Sequence, residues 1–343
     1  MTTWTDHLAA LGATLDAGTL SFADAQTEAR LAAEATIAVP LLHLGVIRSV
    51  GADSAPFLHN LVSNEVQKLA MDGAAWNSFN SPKGRMIASF LIWPEAEGHA
   101  LALSADILPA FLKKLSMYVL RSKVKLADAS AETVLIGVSG SDAAAALQAA
   151  GLPVPAARMA QTVQADGTRC IRTAETLFIV AVPAAAAPRV FDALNAGGAV
   201  KAGTAAWQLA MIRAGLPLIT AATQEEFVAQ MLNYELIGGV SFQKGCYPGQ
   251  EIVARTQYLG KLKKRMYRLA IPAGTAPTAG MDLYAPDFGE QSAGKLVNVA
   301  VAPDGSWEAL GVLQTSSAEA GAVRLGAIDG PALALLDLPY ALG

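Results

Sequence analysis

Twice in this chain a strand-like run ends on a glycine, a small residue and an aspartate, and then turns helical. The two turns are Gly51-Ala52-Asp53-Ser54-Ala55 and Gly140-Ser141-Asp142-Ala143-Ala144, 89 positions apart from Asp53 to Asp142. A small polar residue before a helix is common by itself, so the flanks decide whether the likeness means a repeat. In the first stretch, strand patterns cover Leu42 to Val50, Ala74 to Phe79 and Met86 to Trp93, with a turn at Ser81-Pro82-Lys83-Gly84 and a last strand at Lys123 to Ala127. Helical patterns cover Ala52 to Val62 and Asp106 to Leu120. The second stretch repeats this with strands at Thr133 to Val138, Arg158 to Gln164, Leu177 to Val182 and Ala199 to Ala202, and helices at Asp142 to Ala150 and Ala187 to Leu194. Both read βαββαβ, a ferredoxin-like order, and predict an α+β fold built on two related units.

From Lys264 onward the pattern becomes short alternating runs punctuated by Pro and Gly, including Met281 to Ala285, Gly294 to Val301, Ala309 to Gln314 and Ala332 to Leu336. Strands at that spacing predict a C-terminal β-barrel. A length of 343 residues already exceeds what one core usually fills. Between the second unit and the barrel, Thr223 with Glu226 three residues on predicts a capped helix.

Hydrophobic residues make up 53% of the chain, much of it alanine, and only 16% is charged. The most apolar stretch, Leu177 to Ala187, is too short for a membrane span and is broken by Pro183, so no membrane partner is expected. The first 36 residues carry Asp6, Asp16, Asp24, Glu28 and Glu34 against Arg30, which speaks against a secretory or organellar leader. Cys170 and Cys246 are too few and too far apart for a disulfide framework, and a reducing cytoplasm fits. His7, His43, His59 and His99 show no ligand spacing, so no metal site is expected.

The densest chemistry lies in Lys244-Gly245-Cys246-Tyr247-Pro248-Gly249-Gln250-Glu251. A nearby cation and a helix start both favour the reactive thiolate form of cysteine. Lys244 stands two residues before the thiol, Pro248-Gly249 suits a type II turn, and Gln250 to Arg255 can wind into a helix. Cys246 and Lys244 are the candidate reactive pair. On its own, a cysteine between glycines is equally a small residue in a bend.

The surrounding run, GGVSFQKGCYPGQEIVARTQYLGKLKKR from Gly238 to Arg265, resembles the signature of the YgfZ group of folate-binding proteins. These are relatives of the glycine-cleavage T protein that serve iron–sulfur enzyme maturation, and the likeness extends weakly from about Leu41 to the C-terminus. It implies a T-protein-like three-domain ring around a central opening. Residues 1–36 would then be a helical extension, 37–130 with 205–255 a discontinuous folate-binding α+β domain, 131–204 a second α+β domain, and 256–343 the barrel.

The resemblance also implies tetrahydrofolate, or a one-carbon derivative of it, as cofactor. A reduced pterin needs an apolar or aromatic slot with a few donors and acceptors, and its glutamate tail needs cations. Tyr247 and Trp76 are candidate walls, Asn77, Asn80, Gln250 and Glu251 candidate readers of the ring edge, and Arg85, Arg213 and Arg255 candidate cations. The T protein carries a catalytic aspartate where this chain reads Ala88-Ser89, and a glutamate where it has Arg213. Both departures count against glycine-cleavage chemistry, which leaves open whether the protein is an enzyme.

Arg255, Lys261, Lys263, Lys264, Arg265 and Arg268 form a run without an acid in a chain of net charge -4. That run fits a folate tail or an RNA backbone, and equally a strand edge guarded by its lysines. Three functions follow as expectations. The first is a folate-binding accessory factor for iron–sulfur cluster assembly or repair, whose partners are client or assembly proteins. The second is a folate-dependent one-carbon transferase acting on protein or RNA. The third is an RNA-binding factor in tRNA modification.

Overall fold

The computed structural model describes residues 3–16, 18–258 and 262–342. Two sheets carry the repeat, antiparallel except for one short edge strand of the second. The first runs in the order Ala75–Asn80, Met86–Glu95, Gly98–Ser104, Leu44–Val50, Lys125–Asp128. The second runs Gln161–Val163, Arg169–Ala174, Leu177–Pro183, Thr133–Ser139, Ile37–Pro40, with Val200–Lys201 added at the edge.

The repeated turn has the same geometry in both. Gly51 and Gly140 have φ of 135° and 134°, a region that side chains rarely adopt. Ser54 N donates to Gly51 O at 3.0 Å and Ala143 N to Gly140 O at 3.1 Å. A Cβ on Gly51 would fall 2.1 Å from Lys123 O, and one on Gly140 2.6 Å from Thr36 Cα. Lys123 and Thr36 each stand just before the strand that pairs with the one ending at the glycine, so the glycine lets both crossings come close.

The sheets also correct the sequence-based order. Each unit has one strand more than its pattern shows, at Gly98–Ser104 and Arg169–Ala174. The first of these alternates alanine with leucine, and alanine carries little strand preference. Ile37–Pro40, expected in the first unit, lies in the second sheet, where all four of its residues are buried. It takes the closing position expected of Ala199 to Ala202. Val200–Lys201 instead pairs in parallel with Ile37 and Ala38 at the edge, because a two-residue strand with a lysine cannot fill an interior position.

The helix expected from Thr223 is a run of turns ending in a 3-10 segment, Ala229–Leu232. Thr223 accepts from Thr220 N, three residues before it, and caps nothing after it. The N-terminal extension contains helices Trp4–Ala10 and Ala25–Glu34 with a hairpin of Thr14–Asp16 and Thr19–Ser21 between them.

The C-terminal strands close a six-stranded barrel in the order Lys264–Ile271, Trp307–Gln314, Gly294–Val301, Asp282–Tyr284, Val323–Leu325, Ala332–Leu336. It has a core of its own, including Leu269, Leu283, Leu296 and Leu313. Two polar clamps fix the barrel to the rest. Glu308 accepts from Arg213 of helix Thr204–Arg213 at 2.7 Å and from Arg268 of its own barrel at 2.9 Å. Asn298 exchanges two hydrogen bonds with the Leu218 backbone, at 2.9 and 3.0 Å. Among the described residues no helix is long and apolar enough to cross a membrane.

Candidate functional site: an anchored thiol turn and a central cavity

The octapeptide folds as its residues require. Gln250 N donates to Tyr247 O at 3.1 Å and Gly249 has φ of 78°, the signature of a type II turn. Helix Gln250–Tyr258 follows at once. This turn lies directly on the hairpin turn Ser81-Pro82-Lys83-Gly84, which is closed by Gly84 N donating to Ser81 O at 2.8 Å. A Cβ on Gly249 would sit 2.5 Å from Ser81 O, and one on Gly84 2.9 Å from Ile252 Cβ. Two backbones touch here, and only glycine permits it.

Lys244 is buried. Its ammonium donates to the carbonyls of His59 and Val62, at the C-terminal end of helix Ser54–His59, and stands 4.9 Å from the centre of the Tyr247 ring. A cation belongs there, since a helix end gathers negative partial charge. Burial pulls the lysine down to about 8, opposed by the Glu65 carboxylate. Burial likewise pushes the Tyr247 phenol up to about 12. Lys244 therefore anchors the turn through these two carbonyl contacts. Cys246 is exposed, whereas the thiol of Cys170 is buried and pushed up to about 12.

A separate cavity of about 510 Å³ opens where the first sheet, the second sheet, helix Thr204–Arg213 and the barrel meet. Its apolar walls include Trp76, Leu91, Trp207 and Met211, and His43, Gln208 and Asn298 add polar groups. Two ring nitrogens on this wall, Trp76 Nε1 and His43 Nδ1, are buried without a hydrogen-bond partner. Burial pulls His43 down to about 4, so its imidazole is neutral at physiological pH. Aromatic walls, this volume and unpaired nitrogens fit a planar heterocycle with polar edges.

Of the residues nominated from sequence, Trp76 lines the cavity. Tyr247 is buried beside Lys244, while Gln250, Glu251 and Arg255 follow on the octapeptide's helix. Asn77 accepts from Asn64 N at 2.8 Å and Asn80 from Ser78 Oγ at 3.0 Å, and the amide nitrogens of both are buried without a partner. Arg85 donates to the carbonyl of Glu226 at 2.5 Å, and Arg213 is held by Glu308. In the basic run, Arg265 pairs with Glu235 and Arg268 with Glu308, and Lys261 lies outside the described residues. His43, Gln208 and Asn298 were not nominated. Gln208 had a readable signal as the one polar side chain inside Ala205 to Ile212, but His43 between two leucines had none.

No protein-family model matches the chain. The protein is 32% identical over 295 residues to the tRNA-modifying protein YgfZ of Enterobacter sp. (strain 638), covering 85% of this chain and 89% of that one. It is 31% identical over 300 residues to the protein of the same name from Yersinia pseudotuberculosis serotype O:1b (strain IP 31758), covering 87% and 90%. The chain belongs to the YgfZ family. In fold, this YgfZ-family chain matches the glycine cleavage system aminomethyltransferase T from Bartonella henselae with a TM-score of 0.75 at 16% identity, over 98% of this chain and 97% of that one. The three-part α+β and barrel plan is thus that of aminomethyltransferase T. At the place where the sequence lacks an acid, Ala88 and Ser89 are buried and Ser89 Oγ accepts from Ile219 N at 2.8 Å.

Proposed function

We propose that the protein is a folate-binding accessory factor of tRNA modification. It holds tetrahydrofolate or a one-carbon derivative in the central cavity and uses the exposed Cys246 thiol in assembly or repair of iron–sulfur clusters in client enzymes. The observation that carries this reading is the separation of two devices: an aromatic cavity with unpartnered Trp76 and His43 nitrogens, and an anchored turn that presents a thiol outside that cavity. The names of the relatives support the link to tRNA, and the aminomethyltransferase T fold supports the folate.

In this reading Trp76 and Trp207 flank the ring, His43 offers a neutral nitrogen to its edge, and Lys244 with Tyr247 keeps the thiol turn in place. Bound folate would supply or accept a one-carbon unit. With Ala88-Ser89 where the resemblance places the catalytic aspartate, glycine-cleavage proton transfer lacks its expected acid. Two free cysteines suit a reducing cytoplasm.

The test is deletion in the source organism, followed by assay of several iron–sulfur enzymes and of tRNA modification. Loss of both, restored by the wild-type gene and not by Cys246→Ser, supports the proposal. Transfer of an isotope from a folate-bound carbon to protein or RNA would point to a one-carbon transferase instead.

A further inference from the structure

The segment that carries the thiol is closed on itself by aromatic rings. Phe242 and Tyr258 meet edge to face with centroids 6.0 Å apart and planes at 72°, so Cys246 lies on a loop bracketed by this contact. Tyr258 is 68% exposed at the end of helix Gln250–Tyr258. The neighbouring ring holds Tyr258 in place while most of its surface stays open to solvent.

The face along this helix carries charges of both signs with cations in excess. On the helix, Glu251, Arg255 and Tyr258 fall on one exposed stripe, while Val253 faces inward. The exposed Lys83 belongs to the hairpin turn that touches Gly249 and Ile252. Neither Lys83 nor Arg255 takes part in the ion pairs of the described residues, unlike Arg265 and Arg268. Glu251 is the one acid on the stripe. Arg255 stands one helical turn from the open ring and Lys83 at the other end of the helix, so in a chain of net charge -4 the face carries two cations against one acid.

We propose that this face is a binding surface for single-stranded RNA, on which an unpaired base stacks against Tyr258, backed by Phe242, while Arg255 meets a phosphate beside it and Lys83 one further along the strand. An aromatic platform with flanking cations is what unstacked bases require, whereas duplex RNA presents its bases edge-on in a helix and offers no face to stack. The exposed thiol of Cys246 then lies within the docked loop's reach and outside the cavity. The proposal rests on the tRNA reading above and gives it a location.

The test uses the full-length protein, a fluorescent stem-loop RNA and the duplex of the same stem, followed by anisotropy. The loop RNA should bind more tightly than the duplex. Tyr258→Ala should weaken it about tenfold or more, and Tyr258→Phe should not. Lys83→Ala combined with Arg255→Ala should flatten the salt dependence, as expected when phosphate contacts are lost. A Tyr258→Ala protein that melts with the wild type removes misfolding as an explanation.

Equal affinity for loop and duplex, or an unchanged Tyr258→Ala, would overturn the assignment. Binding of an acidic client protein to these residues in place of RNA would also overturn it and make the face a protein-docking surface. Folate titration of the same variants separates the two ideas: intact folate binding with RNA binding unaffected by the variants sinks this inference alone.

Discussion

A Cβ placed on Gly249 falls 2.7 Å from the Cα of Gly84, so the turn after Cys246 and the hairpin turn of the first sheet meet backbone to backbone. Both glycines also have positive φ, 78° and 72°. Gly249→Ala should therefore cost about 2–4 kcal/mol of stability in urea unfolding, combining a strained dihedral with a backbone clash. Gly245→Ala meets nothing within 4 Å and has no positive φ, so it should be close to neutral. Equal effects at the two positions would mean that the contact is not what holds the turn.

Lys244 makes a prediction whose sign follows from its burial. Its native value near 8 lies below the 10.5 of an open lysine, so between those values the unfolded chain holds a proton that the native state has released. Wild-type stability should rise relative to Lys244→Met as pH goes from 8 to 10.5, by on the order of 1–3 kcal/mol. Parallel urea midpoints across that window would show that Lys244 is not buried as described.

His43 works over a lower window. It is pulled from 6.5 to about 4, so as pH falls through that range the unfolded chain gains a proton that the native ring refuses, and stability is lost. Relative to His43→Gln, the wild type should lose on the order of 3 kcal/mol between those pH values. Urea midpoints of the two proteins at several pH values test it.

Glu308 serves both Arg213 and Arg268, so the three charges should behave as one unit. Glu308→Gln should lower stability by about 1–3 kcal/mol because two half-buried guanidiniums lose their shared, buried counter-charge. Arg213→Ala and Arg268→Ala should be clearly non-additive in a double-mutant cycle. Additive losses would mean that the barrel is held elsewhere.

What was legible in the sequence and what was not divide along physical lines. The turn residues Gly51-Ala52-Asp53 and Gly140-Ser141-Asp142 announced the repeat because left-handed backbone and helix starts admit few residue types. The Pro248-Gly249 turn was readable for the same reason. Strand Ile37–Pro40 was not read at all, and the domain span implied by the resemblance put its residues with the first unit, because its partner strand lies about 100 positions away. Arg213 read as a ligand cation because Glu308, its partner 95 positions away, is invisible to local reasoning. The same holds for Lys244, whose spacing pointed to the thiol while its hydrogen bonds reach back to His59 and Val62. The cavity joins His43, Trp76, Trp207 and Asn298 from four distant segments, and no spacing rule could have gathered them.

The central claim is that reduced folate binds in the cavity while the thiol acts outside it. Calorimetric titration of tetrahydrofolate into wild type, Trp76→Ala and Cys246→Ser under reducing conditions tests it most directly. The account expects Cys246→Ser to bind as the wild type does, since a thiol contributes only weak hydrogen bonds, and Trp76→Ala to bind about tenfold or more weakly. Loss of binding in Cys246→Ser, with Trp76→Ala unchanged, would place the ligand at the octapeptide and contradict the account.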